Sequence, residues 1–430
     1  MNKFLTLPKT VQLLCFGSLI NRAGQMLLVF MTIYLTKNLG YSETFAANCF
    51  GVFGFGAILA ALVGGHFADV VGRKIVMLVA LVGGGAALVA FSYMTNQYAI
   101  LATITVFAFI SEMYRPASQA MIADCVSPEQ RPHAFTLMYL AINLGFAMAP
   151  MIGALLIDRF SFQAVFVFDA LTSLIFGVII FLFIAETLPD RESDGSTDMV
   201  SGHDGAKSRT TERVPWHDAF GQIMRDYVFL MFCLATFCVA VVYQQGVSTL
   251  PLYLARLGFG ADDYGRIIMV NGIMIVFLQI PITSIVVRFN RALIVALASV
   301  VTAIGFVLKA HVDTAWGFRI TVMVWTVGEM MAMPLVAAIV SDLAPKRMRA
   351  RYMGVYTVSY SGANMIAAPI GGMILVKYGG SVLWRTCFAL GITSSMLFAI
   401  IGRFIATPKV YEPTVKPDAD QSREDVQHAG

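Results

Sequence analysis

The chain has 430 residues, of which 58% are hydrophobic and 13% are charged, and its mean hydropathy is +0.73. Soluble globular proteins carry about 25% charged residues, so this composition excludes an ordinary soluble domain and indicates a polytopic membrane protein. The small net charge of +4 comes without an aromatic-interleaved basic cluster, which excludes nucleic acid as a partner. The six cysteines lie in apolar surroundings without a ligand spacing, so no metal site is predicted.

Twelve segments of the chain are candidates for membrane-spanning helices, because a spanning helix needs about 20 mainly apolar residues. The predicted spans, in chain order, are 11–36, 44–68, 75–95, 97–126, 132–157, 163–185, 228–254, 263–288, 292–311, 315–343, 351–377 and 382–406.

One long polar segment, 186–226, separates the first six spans from the last six and is too poor in apolar residues to fold alone. The predicted domains are an N-terminal six-helix bundle (1–185), a cytoplasmic linker (186–226), a C-terminal six-helix bundle (227–408) and a disordered cytoplasmic tail (409–430). Roughly two-thirds of the 30 Lys and Arg residues fall on the side of the termini. Both termini are therefore expected in the cytoplasm.

The two halves of the sequence resemble each other. The stretch EMYRPASQAMIADCVSPEQR (112–131) matches EMMAMPLVAAIVSDLAPKRMR (329–349), so that Glu112 aligns with Glu329 and Asp124 with Asp342. Two similar six-helix halves are typical of secondary transporters, whose substrate site lies between the halves near the bilayer midplane.

Three short motifs resemble those of the major facilitator superfamily. The stretch GHFADVVGRK (65–74) resembles its signature G-x-x-x-D-x-x-G-R-K between the second and third helices. The stretch GFAMAPMIGA (145–154) is similar to the antiporter motif of the fifth helix, although two of that motif's glycines are alanines here. The stretch RPASQAMIAD (115–124) looks like the 12-helix drug/proton antiporter group. These resemblances imply an all-α fold of 12 transmembrane helices in two pseudo-symmetric bundles.

The resemblance assigns two sets of residues. A helix-packing motif comprises Gly145, Ala149, Pro150 and Gly153. A conformational latch comprises Asp69, Gly72, Arg73 and Asp124. The Asp69 carboxylate would face the positive N-terminal end of the eleventh helix and would hold the two halves together in one of two conformations. The alternative is that Asp69 is merely a solvated loop residue.

Four charged residues fall near the middle of spans, where an isolated charge costs at least about 2.5–3.5 kcal/mol, so they are expected to face a central cavity. Glu112 and Arg115 are spaced i, i+3 and can pair, either to fix helix packing or to switch during transport. Glu329 has Met333 where Arg115 would align, and it is the predicted proton carrier. Arg22 completes this set.

Polar and large side chains inside spans usually face the bundle interior. On that basis the predicted substrate cavity is lined by Asn21, Gln25, Met26, Tyr139, Asn143, Tyr243, Gln244, Trp325, Tyr360 and Asn364. Asp169 is expected to make a local hydrogen bond.

The predicted function is secondary active transport, namely proton-coupled efflux of small amphipathic compounds by alternating access. The proton gradient supplies the energy, and no cofactor is expected. The partners are a small-molecule substrate, protons and the lipid bilayer of a bacterial-type inner membrane, and the protein is expected to be a monomer. Alternatives are a proton-coupled transporter of a metabolite or small peptide and a membrane sensor. No hydrolase or nucleotide-binding motif supports an enzyme.

Overall fold

The computed structural model describes residues 6–187, here called the N-half, and residues 215–404, here called the C-half. All of their regular structure is helical. The N-half contains α1 (Lys9–Gly24), α2 (Leu27–Ile33), α3 (Glu43–Val70), α4 (Arg73–Ser92), α5 (Gln97–Ser111), α6 (Tyr114–Cys125), α7 (Arg131–Arg159) and α8 (Phe162–Phe183). The C-half contains α9 (Trp216–Arg225), α10 (Tyr227–Ser248), α11 (Leu250–Arg256), α12 (Ala261–Val286), α13 (Arg291–Val307), α14 (Ala315–Leu343), α15 (Arg349–Tyr378) and α16 (Gly380–Ile401).

Within these described ranges, 11 helical segments are long and apolar enough to cross a membrane. The predicted span that is not among these is the eleventh, α15, which has 30 residues but too polar a composition to be counted with the others. Its first turns are buried inside the protein, where Arg349 and Arg351 are each only 5% exposed. A helix sheltered by α3 and α10 does not need an apolar surface, which explains its composition.

Three predicted spans are interrupted rather than continuous, and the seventh (228–254) breaks at Thr249, between α10 and α11. The first breaks between α1 and α2, where the Asp169 carboxylate of α8 accepts a hydrogen bond from the backbone N–H of Met26 (3.0 Å). This bond satisfies a backbone group that the break exposes in the apolar interior. The fourth span breaks between α5 and α6, so Glu112 lies in a turn and not within a continuous helix.

The two halves meet mainly where α3 crosses α15. A Cβ atom on Gly65 would lie 2.5 Å from the carbonyl oxygen of Ala350, and a Cβ on Gly354 would collide with the carbonyl oxygen of Ala61. Glycine is therefore required for the backbones to approach this closely. We call this end of the bundle, where α3 ends and α15 begins, the latch end.

The described part of the predicted linker contains a helix, α9, within the segment expected not to fold. Ala219 and Ile223 are buried (1% and 2% exposed) against the bundle. Their i, i+4 spacing is a helical apolar pattern, which the overall polarity of 186–226 conceals. Residues 188–214 of the predicted linker and the whole predicted tail, 409–430, lie outside the described residues.

We predict opposite effects for the same substitution at two glycines of α15. Gly354→Ala forces the α3–α15 crossing apart, at an overpacking cost of about 1–3 kcal/mol, and lowers the thermal unfolding midpoint of the purified protein. Gly372→Ala places its methyl in open space and gains up to about 1 kcal/mol of helix propensity, so its midpoint is unchanged or higher. Equal midpoints for the two variants would contradict the crossing.

Candidate functional site

The latch end contains a carboxylate that binds the start of a helix in the other half. Asp69, whose side chain is fully buried, accepts hydrogen bonds from the backbone N–H groups of Ala350 (3.1 Å) and Arg351 (2.9 Å). Backbone N–H groups in the first turn of a helix have no acceptor within the helix, and the helix dipole there also favours a negative charge. The partner helix is the predicted one, although its bound residues lie slightly before the predicted stretch at Tyr352.

Two further carboxylates are each bound by arginines from both halves. Asp124 pairs with Arg73 of its own half (2.8 Å) and with Arg349 of the C-half. Asp342 pairs with Arg291 of its own half (2.5 Å) and with Arg131 of the N-half. Each aspartate thus pairs with one arginine from its own half and one from the opposite half. The two arrangements are equivalent under the internal repeat.

The turn between α3 and α4 positions Arg73 for this role. Gly72 has φ = 128°, a conformation that residues with a side chain rarely adopt. The Glu186 carboxylate accepts hydrogen bonds from the N–H groups of Arg73 (2.9 Å) and Lys74 (3.0 Å), and so caps the start of α4. The side chain of Arg73 is completely buried, and it also lies 3.5 Å from Asp69 and 3.4 Å from the carbonyl oxygen of Lys346.

A cavity of about 220 Å³ lies between the two halves. Two arginines, several hydroxyl groups and a larger number of apolar side chains surround it. Its lining residues are Ser18, Arg22, Tyr114, Arg115, Ser118, Gln119, Phe135, Met138, Tyr139, Ile142, Phe146, Met333, Ala337, Tyr356, Thr357 and Tyr360. A mainly apolar cavity with few polar groups is the usual form of a small-molecule site.

Glu329, which was expected to face the central cavity, is not among the residues that line it but accepts a hydrogen bond from the lining residue Tyr139. Its carboxylate is bound by donors from both halves. Its Oε1 accepts from the Tyr139 hydroxyl of α7 (2.7 Å), and its Oε2 accepts from Nδ2 of Asn271 in α12 (2.8 Å). Asn271 is itself fixed by the Thr326 hydroxyl (3.0 Å). Among the described residues Glu329 has no ion-pair partner, so two neutral donors are what stabilise its charge.

The other mid-span charges cluster in the N-half. Arg115 and Glu112 lie 3.4 Å apart, with Arg115 39% exposed on the cavity side and Glu112 12% exposed. Arg22 donates to Oε1 of Gln25 and stacks over the Phe146 ring at 5.4 Å. A second cavity, of about 30 Å³, lies behind them within the N-half; it is lined by Asn21, Arg22, Gln25, Ser111, Glu112, Arg115, Asp169 and Ser173 among others.

The predicted helix-packing motif lies where α7 crosses the first span. A Cβ on Gly145 would lie 2.8 Å from the carbonyl oxygen of Leu19, and a Cβ on Gly153 would lie 3.1 Å from the Met26 sulfur. Ala149 is fully buried between them, and Pro150 sits within the helix. The small residues therefore permit close contact between α7 and α1–α2.

Several residues predicted to line the substrate cavity lie elsewhere. Met26 is fully buried in the apolar core of the N-half, and Asn21 donates to Ser173 (2.8 Å) beside the smaller cavity. Trp325 is 5% exposed and packs on Phe306 and on Tyr243. Asn143, Tyr243, Gln244 and Asn364 are not among the residues that line the 220 Å³ cavity. Polarity and size place a side chain in the interior of a bundle, but they do not distinguish the cavity from the packing around it.

Sequence reasoning missed four residues that the geometry makes important. Arg131 and Arg349 end the two repeated stretches, each seven residues after the aligned aspartate (Asp124 or Asp342). The internal repeat could therefore have pointed to both arginines. Asn271 had no such signal. Lys309 is completely buried, with its Nζ 3.3 Å from the centroid of the Phe306 ring. Aromatic faces can stabilise a desolvated ammonium by about 2 kcal/mol, so this lysine belongs to the packing of the C-half.

Comparison with known proteins identifies the family. The model of the Major Facilitator Superfamily matches residues 14–368 and 331–428. The chain is 25% identical, over 90% of its length and 92% of the relative, to a protein named Na(+), Li(+), K(+)/H(+) antiporter from Planococcus maritimus. It is 24% identical to the MFS-type transporter YqjV of Bacillus subtilis, over 88% of this chain and 89% of that one.

A solved structure shares the fold. A bacterial homologue of the iron transporter ferroportin, in an outward-facing state, superposes with a TM-score of 0.74 over 92% of this chain and all of its own, at 12% identity. The family match, the eleven membrane-length helical segments of the described residues and the repeated halves lead to one conclusion: the chain is a multi-pass membrane protein that belongs to the major facilitator superfamily of transporters.

Proposed function

We propose that this protein is a proton-coupled antiporter that exports small amphipathic compounds by alternating access. The observation that carries the proposal is the environment of Glu329, a mid-span carboxylate bound by neutral donors from both halves. Such a group can exchange a proton, and its protonation state bears directly on the contact between the halves.

The latch end is proposed to face the cytoplasm, because basic residues concentrate at the cytoplasmic ends of membrane helices. The basic residues at this end are Arg73, Lys74, Arg131, Arg288, Arg291, Lys346, Arg347, Arg349 and Arg351. In the described residues, the hydrogen bonds and ion pairs that join the halves lie between this end and Glu329. The conformation is then closed to the cytoplasm, and both termini are cytoplasmic.

Proton binding at Glu329 would weaken the closed conformation. A hydrogen bond to an ionised carboxylate is roughly twice as strong as one between neutral groups. The Tyr139–Glu329 bond therefore holds α7 to α14 most strongly when Glu329 is charged. A proton arriving from outside removes that charge and allows the cytoplasmic side to open. Release of the proton inside restores the charge before the substrate is carried outward, which is the sequence that antiport requires.

The cavity suits an amphipathic substrate of modest size. Phe135, Ile142 and Met333 provide apolar contacts, and unbranched methionine side chains can adapt to different shapes. The hydroxyl groups of Tyr356 and Tyr360 provide hydrogen bonds. These features favour a compound with an apolar body over a sugar or a small ion in the central cavity.

A second candidate function is the exchange of monovalent cations for protons, as named for the Planococcus relative. The observation in its favour is the smaller cavity, where oxygen atoms of Asn21, Glu112 and Asp169 could surround an ion. The two guanidinium groups of Arg22 and Arg115 beside it oppose a cation. Sodium or lithium efflux that is lost in Asp169→Asn, with drug export unaffected, would favour this second function.

We expect Glu329→Gln to abolish transport driven by a pH gradient while substrate exchange across the membrane continues. The amide keeps the hydrogen bonds but cannot bind a proton. The measurement is substrate uptake into proteoliposomes with and without an imposed pH gradient. Asp313→Asn, which removes an exposed carboxylate, is the matched control and keeps gradient-driven transport. Full accumulation by the Glu329 variant would refute the assignment.

We expect Arg115→Ala to reduce transport more than the double variant Arg115→Ala/Glu112→Gln. Removing only the arginine leaves the Glu112 carboxylate without its partner, which costs more than removing the pair. Transport rates and unfolding midpoints of the two single variants and the double variant form a double-mutant cycle. Strictly additive losses would mean that the 3.4 Å contact carries no coupling.

We expect Asp69→Asn to shift the protein away from the cytoplasm-closed conformation by about tenfold or more, because the charge that binds the start of α15 is lost. Spin labels at Glu129 and Lys346, two exposed positions on opposite halves, measure the distance across the latch end. Lys74→Ala is the control, since the Lys74 amine donates to the carbonyl oxygen of Phe181 in its own half (2.9 Å). A wild-type distance distribution in a variant that no longer transports would exclude the latch role.

A further inference from the structure

The amphipathic helix α9 lies across the seam between the two halves at the latch end. Its buried residues, Ala219 and Ile223, line a gap of only about 10 Å³ together with Leu62 of α3 and with Arg351 and Val355 of α15. A gap of this size barely admits one water molecule. The helix is therefore packed against the N-half and the C-half at the same time.

The two sides of this contact differ in how firmly they are tied. After α9 comes Asp226, whose carboxylate accepts from the Tyr352 hydroxyl (3.0 Å) and from the N–H of Phe229 (3.0 Å). Both partners belong to the C-half, so α9 is fixed to that half. The contact with Leu62 is the one that must break when α3 and α15 separate.

We propose that α9 is a strap that stabilises the latch-closed conformation, independently of the substrate and of the proton site. Apolar surface of Ile223 is covered by Leu62 while the latch end is closed and is exposed to water when it opens. The hydrophobic effect therefore opposes opening, in addition to the charged contacts of Asp69 and Asp124.

The test compares substitutions on the two sides of the seam. Ile223→Ala and Leu62→Ala are each expected to raise the ratio of latch-open to latch-closed protein by at least about tenfold, because each removes buried apolar atoms from the closed state only. The ratio is measured from distances between spin labels at Glu129 and Lys346, two exposed positions on opposite halves. Met224→Ala, on the outer face of α9 (38% exposed), is the matched control and leaves the ratio unchanged.

The double variant Leu62→Ala/Ile223→Ala distinguishes a strap from general destabilisation. Two residues that share one contact give an effect smaller than the product of the single effects. A ratio equal to that product, or single variants that lower the unfolding midpoint without moving the ratio, overturns the proposal. If Ile223→Ala does not fold, Leu62→Ala by itself tests the proposal, since it changes only the surface of α3 from which α9 separates on opening.

Discussion

The absence of water in the bilayer interior is the constraint on which this structure depends. A charge or a backbone N–H group left alone there is costly, so each one described here has a partner or lies beside the central cavity. The consequence is visible at the break in the first span, where the Asp169 carboxylate accepts a hydrogen bond from the backbone N–H of Met26. It is also visible at the seam, where the charged groups of the latch end bind each other across the two halves.

The same constraint joins protonation to movement. A carboxylate in this environment needs donors to stay charged, and Glu329 takes one donor from each half. In the proposed mechanism its charge state and the position of the halves therefore depend on each other. The latch adds a separate contribution further along the seam, through Asp69 and the first turn of α15.

The helical class, the two halves and the family could be predicted from the sequence, because hydropathy, the internal repeat and the Asp69–Arg73 motif are local patterns. The break at Met26 could not, because the group that stabilises it, the Asp169 carboxylate, comes from a distant helix. Cavity residues were predicted only in part. Tyr139 and Tyr360 line the central cavity, whereas Trp325 is packed inside the C-half. Helix α9 was not predicted, because its short apolar pattern lies within a segment, 186–226, whose average composition is polar.

The shared arginines have a consequence for the energy of the opposite conformation. When the halves separate, Asp124 loses Arg349 but keeps Arg73, and Asp342 loses Arg131 but keeps Arg291. Neither acid is left bare, and the two arginines that are released stand at the water-facing end of the bundle. Opening thus replaces two ion pairs by hydration of Arg131 and Arg349, and no buried charge is left without a partner. The two conformations can then lie close in free energy, so that the single proton proposed for Glu329 would be enough to choose between them.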